Sequence, residues 1–309
     1  MNVRVLITGA TGFVGSHVAR YLLAQDCDVA ALIRATSDPW RIADILPRVR
    51  VLAGDLANLS ATAESIKSFA PQVTIHLAWQ GVGNRHRNDP QQIANLSATL
   101  NLLEQVRAAG CRVWIGLGSQ AEYGICDCAI NEETPTHPTT MYGATKLCAY
   151  LLTQQICRQH ELRFAWLRLF SAYGPADDRN WMIPYVILTL LRGETPALTA
   201  GAQLWDYLFV EDAVRAIYLA ATDARASGVY NLGSGETHAI RDAVEHIRDL
   251  IAPGLPLGFG QVPYRPDQVM LLQADIARLG SLGWSPQVKL DEGLARTLSW
   301  FRENLRYYV

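Results

Sequence analysis

Three features of the sequence predict an α/β fold built on a doubly wound parallel sheet. Short, continuously apolar runs rich in β-branched residues alternate with longer amphipathic segments over roughly the first 170 residues. The runs are apolar throughout rather than alternating, as strands covered by helices on both faces are. After residue 172 the alternation weakens and prolines punctuate the chain, from Pro175 and Pro184 through Pro263, Pro266 and Pro286. Strands are expected at 3–8, 28–34, 49–53, 73–77, 112–117 and 163–169. Between them, helical spacing runs over about 12–25, 38–46, 59–69, 90–109 and 140–160. Further helices are expected near 182–193, 211–222, 238–251 and 290–305. Residues 1–172 thus read as a Rossmann-type domain. Residues 173–309 read as a smaller α/β lobe that closes over the strand ends and returns some segments to the main sheet.

Composition narrows the function classes. At about 150 residues per domain, 309 residues suit two domains or one domain with a lobe. Half the chain is apolar, 18% is charged and the net charge is −2, which excludes a disordered or fibrous chain. A near-neutral chain has no basic field to gather phosphates, so nucleic acid is not an expected partner. No 18-residue apolar run offers a membrane span. The opening residues MNVRVLIT lack the apolar stretch of a signal peptide, and six cysteines are too sparse for a disulfide framework. The expected location is the cytoplasm.

Gly9, Gly12 and Gly15 sit between the first strand and the first helix, spaced G-x-x-G-x-x-G. A tight turn needs residues without Cβ, and close backbone N–H groups with a helix N-terminus suit a pyrophosphate. A dinucleotide is therefore expected. Its identity turns on the end of the second strand, where an NAD site places Asp or Glu near the ribose. Here the strand ends Ala31-Leu32-Ile33-Arg34, with no carboxylate before Asp38. A cation suits the 2′-phosphate of NADP, with Ser37 and Arg41 assisting; NADP is the expected cofactor and NAD the alternative.

Tyr142 and Lys146 stand at i and i+4 on a helix after the fifth strand, and so share a face. A free phenol, with a pKa near 10, is a poor acid or base at neutral pH. A nearby ammonium and an oxidised nicotinamide favour the phenolate and are expected to lower that value.

With these motifs in order, the chain resembles the extended short-chain dehydrogenase/reductases that act on nucleotide-diphosphate sugars. The resemblance rests on Thr8-Gly9-Ala10-Thr11-Gly12-Phe13-Val14-Gly15, Gly54-Asp55-Leu56, His76-Leu77-Ala78, Gly118-Ser119-Gln120-Ala121-Glu122-Tyr123-Gly124 and Tyr142 with Lys146. It continues through Leu169-Phe170-Ser171-Ala172-Tyr173-Gly174-Pro175, Asp206-Tyr207, Val210-Glu211-Asp212, Arg265-Pro266 and Leu282-Gly283-Trp284-Ser285-Pro286. It implies that Tyr142 is the general acid/base. Lys146 would hold the nicotinamide ribose, and Ser119 would bond the same sugar oxygen as Tyr142. It further implies that Thr11, Phe13 and Val14 join the glycines around the cofactor, that Asp55 and Leu56 border the adenine, and that Leu77 and Ala78 lie along it. On the substrate side it implies Ser119, Gln120, Ser171 and Arg265, the last on the diphosphate.

Departures from the family pattern sharpen the expectation. Dehydratases of the family carry an acidic pair directly after the catalytic Ser/Thr; here Gln120 and Ala121 stand there, and Glu122 comes one position late. Ser171 replaces a common Asn, and Trp205 a common Arg. The wording resembles 4-keto-6-deoxysugar reductases more than glucose 4-epimerases. The expected activity is reduction of the 4-keto group of a nucleotide-diphosphate 6-deoxysugar by an NADP-preferring oxidoreductase, with an NAD(P)-dependent 4-epimerase as the alternative. A non-catalytic dinucleotide sensor is a third reading, against which the tyrosine–lysine pair stands.

Other constellations read as structural. Cys126-x-Cys128 lacks the further ligands a metal needs. His76 is expected to bond backbone, Arg85-His86-Arg87 to be a solvated charge cluster, with contact to a substrate phosphate as the alternative, and Asn58 and Asn95 merely to begin sequons. The helices near 90–109 and 140–160 carry apolar residues beyond one core-facing stripe: Leu96, Leu100 and Leu103 in one, Leu147, Tyr150, Leu151 and Ile156 in the other. The family commonly dimerises through these helices, so a homodimer is expected.

Overall fold

The computed structural model describes residues 3–265 and 268–308. Met1, Asn2 and Pro266, which were part of the motifs above, lie outside the described residues. The first half of the chain runs β1 (Arg4–Thr8), α1 (Phe13–Ala24), β2 (Asp28–Ile33), β3 (Arg50–Ala53), α2 (Ala63–Phe69), β4 (Val73–His76), α3 (Gln92–Ala108), β5 (Val113–Ser119), α4 (Met141–Gln159) and β6 (Arg163–Leu169). It continues through β7 (Ala172–Tyr173), α5 (Met182–Leu191), β8 (Ala197–Leu198), β9 (Leu204–Trp205), β10 (Leu208–Phe209), α6 (Val210–Thr222) and β11 (Gly228–Leu232). The remainder is β12 (His238–Ala239), α7 (Ile240–Ile251), β13 (Gly258–Phe259), β14 (Leu271–Leu272), α8 (Ala277–Gly280) and α9 (Leu290–Glu303).

Seven parallel strands form the main sheet in the order β3-β2-β1-β4-β5-β6-β11. The apolar runs explain why helices cover both faces. Leu6 and Ile7 are adjacent in β1, point to opposite faces, and are both fully buried. Ile7 packs with Val18 and Leu22 of α1 and Ile217 of α6. Leu6 packs with Ile66 of α2, Leu102 and Val106 of α3, and Ala149 of α4. β11 lies in the half of the chain where regularity weakens, yet it pairs with β6 to complete the sheet. The later helices α5, α7 and α9 enclose a separate apolar core around Val186, Val244, Leu294 and Phe301.

Two sequence expectations are corrected. The segment 38–46 is not a helix but two short 3-10 turns, Trp40–Ile42 and Leu46–Arg48. Pro47 has no N–H and its ring would collide with the carbonyl of Ala43 in an α-helix, so no helix runs through residue 47 and the segment is left as single turns. Leu103 is fully buried in the core rather than outside it, because α3 packs against both α2 and α4 and so covers more than one stripe. Among the described residues, no helix is long and apolar enough to cross a membrane.

The chain crosses from β3 at one edge back to β4 beside β1. That reversal opens a crevice at the carboxyl ends of β1 and β4, where doubly wound folds bind their ligands.

Candidate active site

The glycine loop fits the crevice by the absence of side chains. Gly9 has φ +78°, and a Cβ there would stand 2.8 Å from the Ala78 nitrogen. A Cβ on Gly15 would stand 2.0 Å from the Gly9 carbonyl oxygen, so α1 approaches β1 as closely as backbone allows. Gly12 caps α1 with no side-chain bond, and no acidic residue sits in the first turn. The positive end of α1 therefore faces the crevice without protein neutralisation, which suits an anion. Thr11, Phe13 and Val14 line this end half-buried, and Leu77 and Ala78 follow β4 across from it. The cradle and the bare helix end fit a dinucleotide pyrophosphate.

His76 anchors the junction beneath this loop, through hydroxyls rather than the expected backbone. The Thr99 hydroxyl donates to the Asn95 carbonyl (2.8 Å) and so accepts from His76 Nε2 (2.9 Å). Nδ1 is then the acceptor for the Thr8 hydroxyl (2.7 Å), whose oxygen receives the Ala78 N–H (3.3 Å). Burial first, and then the Lys146 charge, lower the imidazole pKa to about 3.

At the outer end of β2, Arg34 is exposed. Arg41, expected to assist it, instead donates from Nε to the Ala176 carbonyl (2.8 Å) and stacks over Trp40 (4.3 Å). Asp55 is half-buried after β3 and accepts the Ala57 N–H (2.9 Å), with Leu56 packed at the edge of the core.

At the ends of β5 and α4 the structure brings Ser119, Tyr142 and Lys146 together. Ser119 favours ionisation of the Tyr142 phenol, and its hydroxyl accepts the Ala121 N–H (3.2 Å). Lys146 Nζ donates to the Leu117 carbonyl (2.6 Å) and lies 3.8 Å from the centre of the Trp79 ring. Burial lowers the Lys146 pKa to about 7, with the Glu122 charge opposing. The expected lowering of the phenol pKa is corrected: burial pushes Tyr142 up, while Ser119 and the Arg87 charge pull it back and Glu122 adds to the rise. The lysine charge is directed to Leu117 and Trp79 instead.

Comparison with known proteins places this arrangement. Residues 5–233 match the model of the NAD dependent epimerase/dehydratase family. The chain belongs to the NAD dependent epimerase/dehydratase family. It is 29% identical over 324 residues to a dTDP-glucose 4,6-dehydratase of Streptomyces griseus, covering all of this chain and 97% of the relative. It is equally 29% identical over 312 residues to a UDP-glucose 4-epimerase of Mycolicibacterium smegmatis, covering 97% and 99%. The solved UDP-glucose 4-epimerase of Thermus thermophilus in complex with NAD superposes with a TM-score of 0.88 at 27% identity, covering 98% and 100%.

Glu122 is fully buried and saturated: its Oε1 accepts from the Ser119 N–H (2.8 Å) and Trp166 Nε1 (3.0 Å), and its Oε2 from Arg168 Nε (2.7 Å). Gln120, also buried, lines a cleft with Arg87, Asn84, Asn88, Thr140 and Arg265. Arg265 stands at the exposed rim, and Ser171 follows β6 with its carbonyl accepting the Leu208 N–H (2.9 Å). Several shared motifs prove architectural. Buried Asp206 accepts from Ser234 N (2.6 Å), Gly235 N (3.0 Å) and Ala274 N (3.0 Å), tying three segments of the lobe. Buried Asp212 likewise accepts from Gln287 N (2.9 Å) and Val288 N (3.0 Å) beside Trp284.

Sequence reading missed two members of the site and assigned a third, Arg87, to a different role. Trp79 meets Tyr142 edge-on at 6.2 Å and carries Lys146 on its face. Buried Gln92 receives the Trp79 indole N–H (2.8 Å) and donates to the carbonyls of Gly81 (2.8 Å) and His86 (3.0 Å). Arg87, expected in solvent or on a substrate phosphate, sits 5.4 Å from the centre of the Tyr142 ring. Only an aromatic directly after Leu77-Ala78 hinted at any of them.

Proposed function

We propose that this enzyme reduces the 4-keto group of a nucleotide-diphosphate 6-deoxysugar, using NADPH, without eliminating water. The carrying observation is the pairing of an intact Ser119–Tyr142–Lys146 site with the absence, among the described residues, of a free acid directly after Ser119: Gln120 and Ala121 cannot move protons, and Glu122 is held by three donors. When bound, the dinucleotide supplies hydride to the sugar carbonyl carbon. The glycine loop and the bare end of α1 hold its pyrophosphate, and exposed Arg34 is available to a 2′-phosphate where an NAD site would place a carboxylate. Tyr142 delivers a proton to the carbonyl oxygen while Ser119 bonds that oxygen, and Lys146 secures the ribose. Gln120, Ser171 and Arg265 contact the nucleotide sugar, held between residues 1–172 and the lobe of 173–309. Two chains pair through α3 and α4.

A second reading, 4-epimerisation with a retained NAD, is favoured by the similarity to UDP-glucose 4-epimerases. The test is to measure dinucleotide in the freshly purified protein, then supply NADPH with a nucleotide-diphosphate 4-keto-6-deoxysugar and follow loss of nicotinamide absorbance. Cofactor-free protein that oxidises NADPH, and loses about 10²-fold or more of that rate in Tyr142→Phe, supports the reductase. Retained NAD with interconversion of UDP-glucose and its 4-epimer supports the second reading. A dehydrated product overturns both.

A further inference from the structure

The loop between β4 and α3 is built rather than loose. Gln92 ties Trp79, Gly81 and His86, and the Asn95 carboxamide accepts the Gln80 N–H (2.9 Å) and donates to the Gln80 carbonyl (3.0 Å). This scaffold delivers Arg87 to the start of α4. There the Arg87 carbonyl accepts the Tyr142 N–H (2.8 Å) and Asn88 Oδ1 accepts the Met141 N–H (3.1 Å). The guanidinium lies 5.4 Å from the centre of the phenol ring, its Nε directed to the Val82 carbonyl (3.4 Å). Among the described residues no carboxylate lies within ion-pair distance of it. We propose that Arg87 is a positioning residue for Tyr142, holding the phenol through main chain and side chain and supplying the cation that favours its ionised form. This rests on the reading of Tyr142 as the acid/base.

The groups around Tyr142 single out Arg87. Ser119, at the end of β5, favours the phenolate, and Glu122, one turn on, opposes it. Lys146 on the same helix is turned to Leu117 and to the face of Trp79. Arg265 lies across the cleft and is felt by Arg87 as a like charge. An opposite charge within about 4–6 Å lowers an acid's pKa by about 1–3 units, so the effect of Arg87 is measurable.

The test needs no substrate. Fluorotyrosine is incorporated into the full chain, the Tyr142 signal is assigned by its loss in Tyr142→Phe, and its fluorine NMR shift is followed with pH; ring fluorination acidifies the phenol and brings the step into a mild range. In Arg87→Met the midpoint should rise by about 1 unit or more, and Arg87→Lys should restore most of it. Circular dichroism checks each fold, and Arg87→Gln replaces Arg87→Met if the latter does not fold. An unchanged midpoint in the neutral variant, or equal shifts in the neutral and lysine variants, overturns the proposal. Failure here is distinct from failure of the proposed function, which shows instead as undiminished turnover in Tyr142→Phe.

Discussion

Burial of an ionisable ring between two threonines makes His76 a stability element with a defined pH signature. Its folded pKa, lowered to about 3 by burial and by Lys146, lies below the ordinary value near 6.5. The unfolded chain therefore takes up the proton first as pH falls, and stability is complete above about 6.5 and lost progressively toward about 3. Buried Asp177 and Asp206 are raised by burial and slope the opposite way, so the contribution of His76 is isolated by difference. In urea unfolding, the stability advantage of wild type over His76→Gln should shrink by about 1.4 kcal/mol between pH 7.5 and 5.5, as the unfolded imidazole titrates through its midpoint. An advantage that stays constant with pH would show that the ring titrates in the fold as it does in the unfolded chain, and one that grows as pH falls would show that it is held charged. The hydroxyl partners of His76 explain why its neighbours matter: a protonated ring would displace the Thr8 proton and disturb the Ala78 N–H under the glycine loop.

At the scale of elements, the ends of β5 and β6 are joined by the buried pair Glu122–Arg168, at 0% and 3% side-chain exposure. Arg168 also faces the ring of Tyr123 at 4.4 Å. Glu122→Gln keeps the volume but leaves a buried guanidinium without its countercharge, so unfolding free energy should fall by about 3 kcal/mol in denaturant titration. A loss under about 1 kcal/mol would mean that water reaches Arg168 and the pair is not what joins the strands. The same junction shows what a sequence discloses. β1, β4 and β5 were legible because their apolar runs are buried on both faces, and Tyr142–Lys146 because a four-residue helical spacing is local chemistry. β11 was not, since its run Gly-Val-Tyr-Asn-Leu mixes polar residues; Asn231 is buried there by pairing with Tyr123 Oη (2.7 Å), a contact 108 residues away. Arg87 was illegible for a similar reason: its surroundings exist only once Gln92 has folded the loop. Pro47 was visible, and its bar to any helix running past Leu46 was a local rule that apolar spacing had overshadowed.

For the whole molecule, the expected homodimer turns on which apolar residues the fold leaves outside. Leu103 is withdrawn into the core, and Leu96, Tyr150 and Ile156 pack at its margin. What remains is Ile93 on α3, 56% exposed, with Leu151 and Leu152 on α4 at 51% and 43%. α3 and α4 pack side by side, so a second copy laid across them would cover these residues with four helices. The pairing also bears on the site, since α3 carries Gln92 and Asn95 and α4 carries Tyr142 and Lys146. Association through this face would brace both helices from behind, leaving the cleft at their amino-terminal ends free. Light scattering at micromolar concentration should give twice the chain mass for wild type and the single-chain mass for the Leu151→Glu, Leu152→Glu double variant, with the circular dichroism of the two alike. Both side chains are exposed in the single chain, so their replacement has little to disturb in its core, and a change of mass would report the interface. A wild-type protein of single-chain mass, or a double variant that still pairs, would place the α3–α4 face in solvent and leave the bracing of Tyr142 to Arg87 and the β4–α3 loop alone.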